Sequence, residues 1–138
     1  MRLSDDDCRE RFGGVRVARL ATMSAGGQPH IVPVTFAVDG DVIYTAVDSK
    51  PKSTRQLRRL SNIRANPRVA VLADHYDEDW SVLWWVRADG LAAILHNRAE
   101  MAAPAGLLAG RYPQYLDNPP AGPVIAIRVA RWTGWSAA

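Results

Sequence analysis

Residues 15–47 read VRVARLATMSAGGQPHIVPVTFAVDGDVIYTAV. β-Branched and aromatic residues dominate this stretch, and two breaks of turn-forming residues, Ser24-Ala25-Gly26-Gly27 and Asp39-Gly40, divide it into three runs. A two-residue Asp-Gly break between such runs is a strong signal for a β-hairpin. The pattern therefore predicts three consecutive strands, over residues 15–23, 29–38 and 42–47, arranged as an antiparallel meander.

The middle run alternates along its length, as a strand with one buried face does. One face of the predicted strand carries His30, Val32, Val34, Phe36 and Val38. Pro33, on the opposite face, has no N–H to donate to a neighbouring strand. We therefore expect the strand to be irregular at Pro33 or to lie at the edge of its sheet.

Three further stretches have the pattern of helices. Ser4 can cap a helix over residues 4–12, whose first turn is acidic, as the helix dipole favours. Apolar residues recurring on one side predict a helix over residues 52–65, which Asn66-Pro67 ends. Residues 97–110 also have a helical pattern, which we expect to break or restart at Pro104.

Three more strands are expected in the second half of the chain. They cover residues 68–73, 81–95 and 124–131, with a bend in the second at Asp89-Gly90 and an irregular, proline-rich connection over residues 112–123. About six strands with two or three helices fit an antiparallel barrel with helices packed against it. The predicted fold class is therefore mainly β (α+β).

Basic residues are concentrated between residues 50 and 68, in a stretch that begins KPKSTRQLRRL. Seven lysines and arginines lie there without an acidic residue, whereas the whole chain has 17 basic and 14 acidic residues. The positive net charge is therefore local. A focused positive charge at a helix N-terminus favours binding of an anion such as phosphate. Arg58 and Arg64, farther along the helix, are expected on a solvated face.

The composition is that of a folded domain. A length of 138 residues and a hydrophobic content of 48% fit one domain over residues 1–138. No signal-peptide pattern and no membrane-spanning apolar run is visible, so we expect a cytoplasmic protein without membrane association. A small chain leaves apolar surface uncovered, and five tryptophans add to it, which favours a homodimer.

The sequence has no local pattern of catalytic or metal-binding residues. Cys8 is the single cysteine, and the three histidines are scattered, so no metal site is expected. The basic stretch lacks the glycines of a nucleotide-triphosphatase phosphate loop. Without an RNA-recognition signature or a helix-turn-helix, a nucleic-acid-binding module is a remote alternative. Chemistry without evident catalytic side chains indicates a cofactor that carries the reactivity.

Several short motifs, in order along the chain, resemble those of a known superfamily. They are LAT in the first strand, GQPHIVPV in the second, DGDVIYT before KPK, NIRANPRV before the fourth strand, then WWVRADG and RWTGW. Together they resemble the split-barrel flavin and deazaflavin oxidoreductases, the superfamily that includes pyridoxamine 5′-phosphate oxidase. Within it, the chain is similar to an actinobacterial branch of probable enzymes dependent on coenzyme F-420, an 8-hydroxy-5-deazaflavin.

The resemblance implies a six-stranded antiparallel split β-barrel of the FMN-binding type, with flanking helices. It also implies a homodimer that holds the cofactor in a groove between its subunits. The cofactor phosphate would be held by Lys50, Lys52, Ser53, Thr54 and Arg55. Alignment back from Asn66-Pro67 selects Arg59 instead, and both assignments stay open. The ring system would be bordered by Gln28, Pro33, Val34 and Thr35.

The implied function is that of an oxidoreductase. Reduced F-420 would supply a hydride to a small organic acceptor, with Tyr44, Tyr76 or His75 as candidate proton donors and no catalytic residue assigned. One alternative is an FMN-binding split-barrel oxidase or reductase. Another is a protein that binds such a cofactor without turnover.

Overall fold

The computed structural model describes residues 1–47, 54–120 and 122–138, without the side chains of residues 54–57. Its strands are β1 (Ala18–Met23), β2 (Pro29–Val34), β3 (Ala37–Asp39), β4 (Val42–Ala46), β5 (Arg68–His75), β6 (Trp84–Leu95) and β7 (Val124–Ser136). Its helices are α1 (Asp5–Gly14), α2 (Thr54–Ala65), α3 (Arg98–Arg111) and α4 (Gln114–Asp117), with one 3₁₀ turn, Trp80–Val82, before β6.

The strands form one antiparallel sheet in the order β2-β1-β5-β6-β7-β4-β3. Its two edge strands, β2 and β3, are consecutive in the chain and separated only by Thr35 and Phe36. The sheet must therefore curl until its edges approach each other, which makes a half-barrel with flanking helices. The predicted mainly β split-barrel fold is confirmed, with seven strands in place of six.

The extra strand arises because the predicted middle strand, residues 29–38, is two strands. Alternation fails at its centre, where Phe36 and Ala37 are both buried although they are neighbours. Before this break β2 pairs with β1, and after it β3 pairs with β4. The predicted three-strand meander is therefore wrong, whereas the edge position expected from Pro33 is confirmed.

The crossing from β2 to β3 is held by two residues at the end of α3. Arg111 donates hydrogen bonds to the carbonyls of Phe36, at 2.7 Å, and Val15, at 2.6 Å. The Tyr112 hydroxyl accepts the N–H of Phe36 at 3.1 Å and lies within hydrogen-bond distance of the Arg16 and Phe36 carbonyls. The backbone polar groups of this buried turn are thus satisfied by side chains.

The core lies inside the curled sheet, under α1. Phe12 of α1 packs against Phe36 and Trp132, with ring centroids 4.9 and 5.5 Å away. The turn between β3 and β4 is fixed to this cluster, because Asp41 accepts hydrogen bonds from Arg9 Nε and from the Trp132 indole. Both bonds lower the pKa of the Asp41 carboxyl, and the bond from Arg9 has the larger effect. Helix α1 and the last strand therefore enclose the core together.

Helix α3 differs from its prediction. It runs through Pro104 without a break, so the expected interruption is wrong. Proline removes one hydrogen bond to the carbonyl four residues earlier, that of Glu100, which lies at an exposed position in the first turn. Burial of Pro104 against the sheet offsets that loss.

The bend expected at Asp89-Gly90 is confirmed as a shift in register between β6 and β7. Ala130 is the additional residue, because Asp89 pairs with Arg131 and Gly90 pairs with Val129. A Cβ at Gly90 would overlap the main-chain carbonyl of Arg128. Glycine is therefore required here by the close approach of the two backbones.

We expect Gly90→Ala to lower the free energy of unfolding by about 1–3 kcal/mol, because backbone must move to admit the methyl group. Urea denaturation measures the change. Gly106→Ala in α3 is the matched control, since its Cβ would meet nothing within 4 Å, and it should stabilise by about 0.5–1 kcal/mol. Equal stability of Gly90→Ala and the unmodified protein would contradict the close approach.

Candidate functional site

The face of the sheet that points away from the core carries an open groove of about 710 Å³, which we call the outer groove. Its lining residues are Arg19, Ala21, Ile31, Ala70, Leu72, Asp74, Tyr76, Trp85 and Arg87. Register explains the depression, because the small side chains of Ala21 and Ala70 are paired neighbours in the middle of the sheet. Larger side chains in the next rows form its walls.

The outer groove combines apolar and charged side chains. Its apolar lining includes Ile31, with 65% of its surface exposed, and Leu72. Arg19 lies 3.8 Å from Asp74, and Arg87 donates to Asp89 at 3.2 Å, so the charges of both arginines are partly compensated. An apolar lining with a few charged groups suits a largely apolar ligand.

A second groove, of about 720 Å³, lies between α2 and the turn from β1 to β2, and we call it the helix groove. It is lined by Ser24, Gln28, Pro29, His30, Arg58, Ser61 and Asn62. These are hydroxyl, amide, imidazole and guanidinium groups, which are the donors that hold anions in proteins. The lining of the helix groove is thus more polar than that of the outer groove.

Two buried polar atoms on the elements that form the helix groove have no hydrogen-bond partner among the described residues: Nδ1 of His30, which lines the groove, and Nε of Arg59, which follows Arg58 in α2. The Arg59 residue is only 9% exposed, and burial lowers the pKa of its guanidinium. An unpaired buried donor costs about 1–3 kcal/mol, and more when it is charged. A buried arginine with a free N–H is therefore suited to an anionic ligand.

Helix α2 is fixed to the sheet by a buried hydrogen bond that also positions the helix groove. Asn62 Nδ2 donates to Thr22 Oγ1 of β1 at 3.0 Å, and both residues are buried. Leu60 and Ile63 pack into the core from the same helix. Together they hold Arg58 and Ser61 beside the start of β2.

The structure describes only some of the residues predicted to hold a phosphate. Lys50, Lys52 and Ser53 lie outside the described residues, as do the side chains of Thr54 and Arg55, whose backbone forms the start of α2. Arg59 is buried, and it follows Arg58 in α2. Arg58 and Arg64 are both exposed, as expected, but Arg58 also lines the helix groove.

The residues predicted to border a ring are also divided. Gln28 lines the helix groove, and Pro33 is exposed on the outward side of β2, opposite Arg19 of β1. Val34 instead packs in the core, and the Thr35 hydroxyl lies 3.0 Å from that of Tyr115. The side chains of Val34 and Thr35 thus serve the fold, and Ile31 takes the outward position between Pro29 and Pro33.

The candidate proton donors occupy different environments. Tyr76 is largely exposed and lines the outer groove, and His75 ends β5 beside it. Tyr44 packs instead against the cluster around Leu108, under α3. Of the three, only Tyr76 lines a groove.

Within the described part of the chain, no group of three or more His, Cys, Asp or Glu side chains is placed to hold a metal ion. None of the described helices combines the length and the apolar character that crossing a membrane requires.

The chain belongs to the pyridoxamine 5′-phosphate oxidase family, whose model matches residues 4–136. No curated protein sequence matches it significantly. A conserved hypothetical protein from Mycobacterium tuberculosis is similar in structure, with a TM-score of 0.80 and 22% identity over 98% of this chain and 86% of that one.

Two further solved structures have the same fold, and they belong to a FAD-binding protein and a heme storage protein. A FAD-binding protein from Mesorhizobium loti is 22% identical, with a TM-score of 0.77 over 97% of this chain and 95% of that one. The heme storage protein HutZ from Vibrio cholerae is 15% identical, with a TM-score of 0.73 over 99% of this chain and 95% of that one. At these identities the likeness establishes the fold.

Proposed function

We propose that this protein binds a flavin-type cofactor, with the anionic end in the helix groove and the ring system toward the outer groove, and that it is an oxidoreductase. The observation that carries the proposal is the buried Arg59 Nε without a described partner, on the helix that supplies Arg58 and Ser61 to a groove lined with anion-binding groups. Family membership and the FAD-binding protein of the same fold support a flavin.

The residues present fit such a group at both ends. Arg58, Arg59 and Ser61 offer donors for a phosphate, and His30 and Gln28 add polar groups at the start of β2. Ile31 and Leu72 offer apolar surface for a ring, and Arg19 and Arg87 offer charges for a polar substrate. His30 and Ile31 are neighbours on β2 and line different grooves, so the two chemistries lie on opposite sides of this strand.

The bound cofactor would accept or donate a hydride, and the protein supplies position, water exclusion and a proton. Tyr76 is the proposed proton donor, because its side chain lines the outer groove. A small organic acceptor is the proposed substrate class.

The finer assignment we propose is coenzyme F-420, with FMN as the alternative. It rests on the motif resemblance, whereas the structural relatives named above support flavin and leave heme binding as a competing function for this fold. Both ring systems carry a phosphate-bearing side chain, so the helix groove suits either.

Binding of a cofactor panel to the purified protein tests the function. We expect F-420 or FMN to bind at micromolar or lower concentration, followed by the fluorescence of the cofactor, with heme binding much weaker. Preference for F-420 supports the finer assignment, and preference for FMN supports the alternative. A protein that binds heme tightly and neither ring cofactor would contradict the proposal.

Arg59→Met should weaken cofactor binding without lowering the stability of the fold. Replacing a buried charge by an apolar side chain of similar length is often neutral or stabilising, so the urea midpoint should stay or rise. Loss of a charge-assisted hydrogen bond to phosphate should weaken cofactor binding roughly ten- to a hundredfold. Arg64→Ala, exposed on the same helix, is the control and should change affinity less than about threefold.

Measuring cofactor affinity in these variants also tests which basic residue holds the phosphate, Lys52 or Arg59. If Lys52 holds the phosphate, Lys52→Ala will lose affinity and Arg59→Met will not. If all three variants lose affinity equally, the basic stretch acts as a diffuse surface for polyanions, which would contradict a defined phosphate site.

We also propose that the protein is a homodimer joined through the outward face of the sheet. Several apolar side chains are exposed there or at its margin, among them Ile31, Leu72, Tyr76 and Trp80. Exposed apolar surface of this extent marks an interface in most proteins. A second copy would also cover the outer groove, which is open to solvent in one chain.

Leu72→Glu should abolish the dimer, since it would place a charge in a desolvated interface. Light scattering should change from twice the chain mass of 15.2 kDa to that mass itself. Leu116→Glu, on α4 and 68% exposed, is the matched control and should remain dimeric. A monomeric unmodified protein at micromolar concentration would contradict the proposal.

A further inference from the structure

The outer edge of β2 presents an unusual set of backbone groups. Ser24 N–H bonds to the Gln28 carbonyl at 3.0 Å, and the register pairs His30 with Thr22, Val32 with Leu20 and Val34 with Ala18. In an antiparallel ladder, hydrogen-bonded and non-hydrogen-bonded pairs alternate. The even-numbered residues of β2 therefore bond to β1, and the odd-numbered ones direct their N–H and C=O away from it.

The outward-directed residues are Pro29, Ile31 and Pro33, and two of the three lack an N–H. Within β2 the edge therefore offers three carbonyl acceptors and a single donor, the N–H of Ile31. The Pro29 carbonyl also accepts a hydrogen bond from the side-chain Nε2 of Gln28, at 3.4 Å. Ile31 is the one residue of this edge that can both donate and accept.

This edge is poorly suited to a further strand and well suited to a small cyclic imide. An added strand needs donors and acceptors in alternation along its length, and the prolines remove two of the three donors. A cyclic imide has an N–H beside a C=O on one rim. That pair matches the C=O and N–H of one extended residue, as in a hydrogen-bonded pair of an antiparallel sheet.

We propose that the Ile31 main chain binds the imide edge of the cofactor ring, its N–H donating to a ring carbonyl and its C=O accepting the ring N3–H. The inference rests on the proposed function and deepens it, because it names the part of the ligand that β2 recognises. Flavins and deazaflavins both carry this imide, and heme does not.

The position of this edge supports the proposal. Pro29 and His30 line the helix groove, and Ile31 lines the outer groove, so the edge of β2 runs from one groove to the other. A ligand with its anion near Arg58 and its ring near Ile31 must pass along this edge. Because the two prolines lack an N–H, Ile31 is then the one residue of this edge that can donate a hydrogen bond to the ligand.

Ile31→Pro tests the donor without removing a ladder bond, because the N–H of Ile31 points away from β1. The preceding residue, His30, is already extended, as a following proline requires. Ile31→Val keeps the N–H and is the matched control. We expect Ile31→Pro to bind FMN or F-420, whichever the unmodified protein binds more tightly, about five- to tenfold more weakly than Ile31→Val.

A change in the ligand tests the same pair of bonds without touching the fold. The N3-methyl derivative of that ring should bind the unmodified protein at least about tenfold more weakly, because its methyl group replaces the donor to the Ile31 carbonyl. In Ile31→Pro, N3-methylation of the ring should weaken binding by a smaller factor than in the unmodified protein, since the two hydrogen bonds form together.

Equal affinity of Ile31→Pro and Ile31→Val, or of the methylated and unmethylated rings, would overturn the inference while leaving the proposed function in place. Failure of the unmodified protein to bind FMN and F-420 would instead overturn the proposed function and, with it, this inference. Circular dichroism of Ile31→Pro separates loss of binding from loss of fold, and the methylated ring gives an answer in either case.

Discussion

The structure depends on the two residues that carry the chain from β2 to β3. Thr35 and Phe36 join opposite edges of a seven-stranded sheet, so the sheet can close on itself only if this crossing is fixed. Arg111 and Tyr112 fix it with side-chain hydrogen bonds to the backbone around Phe36, while the Arg111 guanidinium lies over the Phe36 ring at 4.9 Å. Both the barrel and the exposed edge of β2 follow from this contact.

Much of the fold could be predicted from the sequence, because the signals were local. Turn glycines, strand alternation and Ser4 as a helix cap placed most elements, and the edge position of Pro33 followed from its missing N–H. The division of residues 29–38 into two strands could not be predicted in this way. It is caused by Arg111 and Tyr112, which are about 75 residues distant in the chain.

Less of the candidate site could be predicted. The basic stretch indicated an anion, but charge alone does not show that Arg59 is buried while Arg58 and Arg64, on the same helix, are exposed. That difference depends on how Leu60, Asn62 and Ile63 dock α2 on the sheet. The position of His30 in the lining of the helix groove was also not predicted, since a histidine in an alternating strand is equally compatible with a buried face.

The contacts between the first residues of the chain and β7 limit when the chain can fold during synthesis. Leu3 N–H bonds to the Gly134 carbonyl, and Cys8 packs so closely on Gly134 that a side chain there would overlap its sulfur. Strand β7 also joins β6 to β4 in the centre of the sheet. The core therefore cannot close until residue 134 has left the ribosome, so residues 1–134 must wait unfolded or partly folded until then. During that wait the apolar faces of the strands are exposed to water, and partly folded chains of this kind are prone to aggregate.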